Sequence, residues 1–231
     1  MKVRNRFLIL CIACASLSAF AADDTNLNER IKDATDVIRQ IMMTPDKAIP
    51  NSIARQATCV GVIPSVKKAA FIVGGSYGQG VVTCRTPKGW SAPVFIRLAG
   101  GSVGFQIGGQ ATDLVLVAVN DKGFQDLLRS KFKIGADAAA AAGPVGRNAA
   151  AGTDLKLNAE LLTYSRSKGL FAGVDLNGAV VSQNIDDTNA FYGGNAQHFD
   201  RILHGSVPVP VAAHPFVRAI GRYFTAAHAD Q

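Results

Sequence analysis

From Leu27 to Met43 the apolar residues Leu27, Ile31, Ala34, Val37, Ile38 and Ile41 recur every three or four positions, the stripe of an amphipathic helix, with Thr25 or Asn26 as its cap. The polar face mixes Glu29, Asp33 and Asp36 with Arg30, Lys32 and Arg39, so its charges cancel. A helix lying on a membrane is usually rich in Lys and Arg, and packing on a core is therefore the predicted role. A second, short helix is predicted over 50–57, with Pro50 at its first position.

Beyond Val60 the period changes. Short runs rich in β-branched residues, 60–63, 69–73, 80–84, 94–98, 103–107 and 114–119, alternate with glycine clusters. The connections Gly74-Gly75-Ser76-Tyr77-Gly78, Thr86-Pro87-Lys88-Gly89 and Gly100-Gly101 are too short for helical crossovers, so neighbouring strands should pair antiparallel. Asn120-Asp121 offers a cap for a short helix through Leu128, followed by a strand at 131–134 and a small-residue segment at 136–151. Strands resume at 160–165, 169–175 and 179–183, with Asn177-Gly178 as a hairpin turn, and Asp186-Asp187 cap a helix entering 189–192. Val207-Pro208-Val209-Pro210 reads as an extended linker, after which Pro215 opens a helix carrying Phe216, Val217, Ile220, Tyr223 and Phe224, with Arg218 and Arg222 together on one face. The predicted fold is α+β: a glycine-rich antiparallel sheet or partly closed barrel, an N-terminal amphipathic helix, short internal helices and a C-terminal helix.

The first residues change the picture of where this domain works. Lys2, Arg4 and Arg6 precede an apolar run from Phe7 to Leu17, and Ala19-Phe20-Ala21 is a small-x-small site, the anatomy of a signal peptide over 1–21. The competing reading is a lipoprotein signal, with Cys14 as an acylated first residue. The protein is expected in the periplasm, at most peripheral to the outer membrane, whereas acylation at Cys14 would move the mature start and add a membrane anchor. One domain is expected over 22–205, and a Pro-containing linker with the C-terminal helix over 206–231.

Three of the 24 Lys and Arg residues lie in the leader, so 21 face 17 Asp and Glu in the remainder, a mild basic excess. The longest basic run is Lys67-Lys68, which is not the clustering that a nucleic-acid partner selects. Two cysteines remain after the leader, Cys59 and Cys84, and export predicts that they pair; two buried thiols or a metal site are the alternatives.

Candidate chemistry is sparse. Gly74-Gly75-Ser76-Tyr77-Gly78 and Gly100-Gly101-Ser102-Val103-Gly104 match the G-x-S-x-G pattern of serine hydrolases, but that motif requires a strand, a sharp elbow and a helix, and glycines or a strand follow each serine here. His198, His204, His214 and His228 share no ligand spacing, and no Walker loop or dinucleotide fingerprint occurs, so no catalytic residue, metal site or cofactor is expected.

Several blocks together resemble one family. Val62-Ile63-Pro64, Lys67 to Phe71, Gly74 to Gly80, Trp90-Ser91-Ala92-Pro93, Gly104 to Gly108, Ala142 to Arg147, Tyr164 to Gly173 and Asn189 to Gly193 follow in the order of the SYLF domain, spanning roughly 30–193. The resemblance implies a non-enzymatic lipid-binding module, related to eukaryotic proteins associated with phosphoinositides and actin; for a periplasmic chain its transferable part is affinity for anionic phospholipid or a membrane surface. The cations available to hold phosphate headgroups are Lys67, Lys68, Arg85, Lys88 and Arg97 in the first half of the sheet, and Arg147, Arg166 and Lys168 in the second. Tyr77 and Trp90 are candidates for an interface because each joins an apolar body to a polar tip. An envelope protein as partner is the alternative, and a serine hydrolase a more distant one.

Overall fold

The stripe that begins at Leu27 belongs to a longer helix, α1 (Ser18–Met42), which runs unbroken across the expected cleavage site. Leu27, Ile31, Ala34, Ile38 and Ile41 are all buried, and Thr35 among them satisfies its hydroxyl by donating to the Ile31 carbonyl at 2.7 Å. In α2 (Asn51–Gln56), Pro50 takes the capping position with an extended backbone instead of the first helical one, and its carbonyl accepts from the N–H groups of Ile53 and Ala54. The computed structural model describes residues 18–44, 48–120, 122–123, 129–134, 137, 140–143, 159–167, 170–171, 178–194 and 198–225. The start of the leader, most of the helix expected before Leu128, Arg147, Lys168 and His228 lie outside the described residues.

The six short runs predicted between 60 and 119 form instead two long strands, β1 (Cys59–Thr86) and β3 (Val94–Ala118), joined through the two-residue β2 (Gly89–Trp90). They pair antiparallel almost from end to end, from Cys59↔Ala118 to Val82↔Val94. The glycine clusters expected as turns are inside this ladder, with Gly75 opposite Gly101 and Ser76 opposite Gly100. Thr86-Pro87-Lys88-Gly89 does turn, bringing Trp90 opposite Arg85.

The remaining strands are β4 (Lys131–Lys133), β5 (Ala140–Ala142), β6 (Leu161–Ser167), β7 (Leu170–Phe171) and β8 (Val180–Gln183). Among the described residues the sheet has the order β2-β1-β3-β6-β5, with β8 on the first part of β3, β4 on β8 and β7 on β6. The sheet is mixed where an antiparallel one is predicted, because β5 lies parallel to β6. It is also strongly curled. The Arg85 N–H donates to the Thr58 carbonyl at 2.7 Å, so the two ends of β1 meet, and Cys59 and Cys84 join there in the expected disulfide.

Both faces of the curl are packed. One carries Val60, Val62, Val81, Phe95, Val115 and Val117 under α1 and α2. The other carries Ile63, Val82, Ile96, Leu98, Leu114 and Leu116, continued by Phe132 and Val181 on the neighbouring strands and packed against Phe199, Ile202 and Leu203. After the sheet come α3 (Ile185–Phe191), α4 (Phe199–Leu203), a 3₁₀ turn (Val211–Ala213) and α5 (His214–Thr225). Asn184 caps α3, its side-chain oxygen accepting from the Asp187 N–H, while the expected caps Asp186 and Asp187 sit in the first turn, where negative charge meets the positive end of the helix. The terminal helix α5 is part of the core: Phe216, Ile220 and Phe224 are buried with α1, each contributing roughly 1.5–3 kcal/mol relative to exposure.

Candidate functional site

Because α1 buries its apolar stripe, Asn26, Glu29, Arg30 and Asp33 fall on the flank that faces β1. Opposite them β1 presents two segments. Between Ile63 and Val66 the ladder slips, and Ser65 takes a left-handed backbone (φ 49°), its N–H donating to Asp113 Oδ1 at 3.0 Å. Past the far end of the curl the same strand returns with Tyr77, Gly78 and Gln79. The two segments touch only because the second carries glycine: a Cβ at Gly78 would lie 2.7 Å from the Ile63 side chain. The space enclosed by α1 and these two parts of β1 is an open groove of about 220 Å³, with Lys67 and Tyr77 on its walls.

Arg30 forms the end wall and is not free to bind a ligand. Its side chain is 10 % exposed, ion-pairs with Asp187, donates to Gln79 Oε1 at 2.9 Å and lies 5.5 Å from the centre of the Phe95 ring. Asp187 is held in turn by the Asn184 amide, and Asn184 Oδ1 accepts from Arg97 Nη2 at 2.6 Å. This network ties α1 to α3 across the sheet. On the other wall Asp33 is less well matched: loss of hydration, then Glu29, Asp36 and Asp113, push its carboxyl above the ordinary aspartate value, with Lys32 opposing.

The structure divides the cations named from sequence. Lys67 and Lys88 are exposed. Arg85 is committed to the fold: Nε donates to the Ala57 carbonyl at 2.9 Å, Nη2 donates to those of Ala54 at 3.3 Å and Phe224 at 2.9 Å, and the guanidinium lies 4.8 Å from the Trp90 ring centre. It thereby closes the carboxyl ends of α2 and α5. Arg97 is half-buried beside Asn184 and 3.6 Å from Asp186, and Arg166 stands 3.6 Å from Asp113. Lys68 lies on β1 opposite Gln110. Among the described residues of the set, only Lys67 lines the groove.

Of the two aromatic candidates, Trp90 is buried at 7 % exposure and packs edge-on against Phe224, whereas Tyr77 is 49 % exposed. Sequence reading passed over Glu29, Asp33 and Gln79 as parts of the site. The first two read as a neutralised helix face, and Gln79 falls between a predicted glycine turn and the strand after it. Ser76 and Ser102 both lie inside paired strands, and the Ser76 hydroxyl donates to the Gly100 carbonyl at 3.4 Å, so neither has the strand–elbow–helix setting of a hydrolase nucleophile. Among the described residues no group of three or more His, Cys, Asp or Glu is placed to hold a metal ion, and no helix is long and apolar enough to cross a membrane.

Residues 99–223 match the Ysc84 family, described as "Las17-binding protein actin regulator". SH3 domain-containing YSC84-like protein 1 of Rattus norvegicus is 33% identical over 206 residues, which cover 86% of this chain and 60% of the relative. Its counterpart in Homo sapiens is 34% identical over 196 residues, 82% of this chain and 57% of the relative. Protein YSC84 of Saccharomyces cerevisiae is 32% identical over 204 residues, 84% of this chain and 43% of the relative. The chain thus spans between about two fifths and three fifths of the length of these relatives.

Proposed function

The chain belongs to the Ysc84, or SYLF, family, and from that premise we propose that it is a non-catalytic periplasmic module that binds the headgroups of an anionic phospholipid surface. The observation that carries this reading is the pairing of exposed Lys67 with half-exposed Tyr77 on one open groove. A cation beside an aromatic ring with a polar tip suits the zone between water and hydrocarbon, where the ring rests among headgroups and the ammonium meets phosphate. The groove is open and most of the residues on its walls carry polar side chains, which suits a headgroup better than an acyl chain. Among the described residues, packing on both faces of the sheet draws most of its apolar side chains into the protein's own core.

Sedimentation of the chain with vesicles of phosphatidylcholine, alone and mixed with phosphatidylglycerol, tests the reading across a salt series. Binding to the anionic vesicles that weakens with salt is expected, as is reduced binding for Lys67→Glu and Tyr77→Ala. Absence of binding to either vesicle would sink it. The alternative, a protein partner in the envelope, is favoured by the family's description as Las17-binding, and capture of a defined envelope protein without vesicle binding would support it.

A further inference from the structure

The groove beside Lys67 is nearly balanced in charge, since Glu29 and Asp33 share its walls. A second groove is not. Docking of α5 through Phe216, Ile220 and Phe224 turns Arg218 and Arg222, four residues apart, to the outside, and the last turn of α1 brings Arg39 alongside. Between the two helices lies a hollow of about 150 Å³ lined by Arg39, Pro215, Arg218, Ala219, Arg222 and Tyr223. That is well above the roughly 10–15 Å³ needed by one water. Among the described residues three guanidinium groups line it and no carboxylate does.

The described neighbours leave this charge largely uncancelled. Asp36 lies 3.6 Å from Arg39, but it is shared with Lys32 at the same distance and is not part of the lining. Arg222 lies 5.8 Å from the Tyr223 ring centre, within cation–π range of it. Arg218 has no ion pair among the described residues. Attraction to the helix dipole accounts for a cation in each last turn, Arg39 and Arg222. It does not account for gathering both around Arg218, where like charges repel unless an anion joins them.

We propose that the α1–α5 groove is a phosphomonoester site. A guanidinium presents two parallel donors to two phosphate oxygens, and three such groups suit a terminal phosphate, which has three free oxygens, better than a diester, which has two. A phosphatidic-acid headgroup and a soluble phosphomonoester offer this same chemistry; the lipid as source rests on the membrane reading above.

The test uses the whole chain, Arg218→Gln/Arg222→Gln, and a charge-matched control, Arg55→Gln/Arg201→Gln, on exposed positions elsewhere. Circular dichroism melting first establishes that all three fold alike; should the groove variant melt early, Arg39→Gln takes its place. Probes are glycerol 3-phosphate, followed by calorimetry, and phosphatidylcholine vesicles carrying phosphatidic acid, followed by sedimentation. The expected result is a loss of about fivefold per arginine removed from the groove and little change in the control. Equal losses in groove variant and control, unchanged binding in the groove variant, or no binding of either probe by the unaltered chain would each overturn the site. If the unaltered chain binds the vesicles while the groove variant binds them equally, the site fails and the membrane reading stands. If it binds glycerol 3-phosphate through these arginines but no vesicle, the site stands with a soluble source and the membrane reading fails.

Discussion

Arg30 and Asp33 stand one turn apart on the same flank of α1 and meet different surroundings. Arg30 finds Asp187, Gln79 and an aromatic face, so the cost of removing a charge from water is met by partners. Asp33 finds mostly other carboxylates, and its carboxyl is held above the ordinary value by lost hydration first and by Glu29, Asp36 and Asp113 after it. The sign of the consequence follows from linkage. A raised acid pKa means that, as pH climbs through the ordinary aspartate range near 3.9, the unfolded chain releases its proton before the folded one does, and the folded state loses stability across the window just above that value. Asp33→Asn is therefore expected to raise the urea midpoint at pH 7 modestly and to leave it unchanged near pH 3, where both states of the parent hold the proton. A lower midpoint at pH 7 would mean that Asp33 makes a favourable contact in the folded protein.

At the scale of elements, the same glycines that mislead a reader of the sequence are what allow the strand to curl. A Cβ at Gly80 would lie 2.1 Å from the Val62 carbonyl oxygen and 2.7 Å from the Ile63 Cα, both backbone atoms that move only if the strand moves. At Gly75, by contrast, the nearest atom is a carbonyl oxygen at 3.8 Å, an ordinary contact. Gly80→Ala is expected to cost about 3 kcal/mol or more and Gly75→Ala within about 1 kcal/mol of nothing, measured by chemical denaturation. Comparable costs would show that the close crossing of β1 over itself does not require glycine. This crossing explains how much of the architecture the sequence reveals. The helical stripe from Leu27 to Ile41 and the turn at 86–89 depend on neighbours in the chain, and both are read correctly. The fusion of six runs into β1 and β3 depends on Gly75 finding Gly101 and Ser76 finding Gly100 across the ladder, and glycine in a sequence signals a turn as readily as a close approach. The site follows the same logic. Lys67 is recognisable as an exposed cation, whereas Arg85 looks equally available until the carbonyls at the ends of α2 and α5 converge on it.

At the scale of the whole molecule, one crosslink secures the closure on which both grooves depend. The first groove is walled by two parts of β1 that meet only while the strand is curled, and Arg85, next to Cys84, bonds to carbonyls of both α2 and α5, the latter being the helix that carries Arg218 and Arg222. The Cys59–Cys84 bond, spanning 25 positions in sequence, ties the two ends of that strand together. Loop-closure entropy assigns such a bond about 3–4 kcal/mol, exerted through the unfolded chain. For a domain of this size that corresponds to a loss in melting temperature on the order of 10 °C when it is opened. Thermal melts with and without a thiol reductant, and of Cys59→Ala/Cys84→Ala without it, are expected to agree on that shift, because the two treatments remove the same constraint. The vesicle and glycerol 3-phosphate binding of the reduced protein, measured well below its lowered melting point, is expected to survive, since neither groove uses a sulfur atom. Loss of binding without loss of fold would instead make the crosslink part of the site, and would turn the oxidising compartment inferred from the leader into a condition for function as well as for stability.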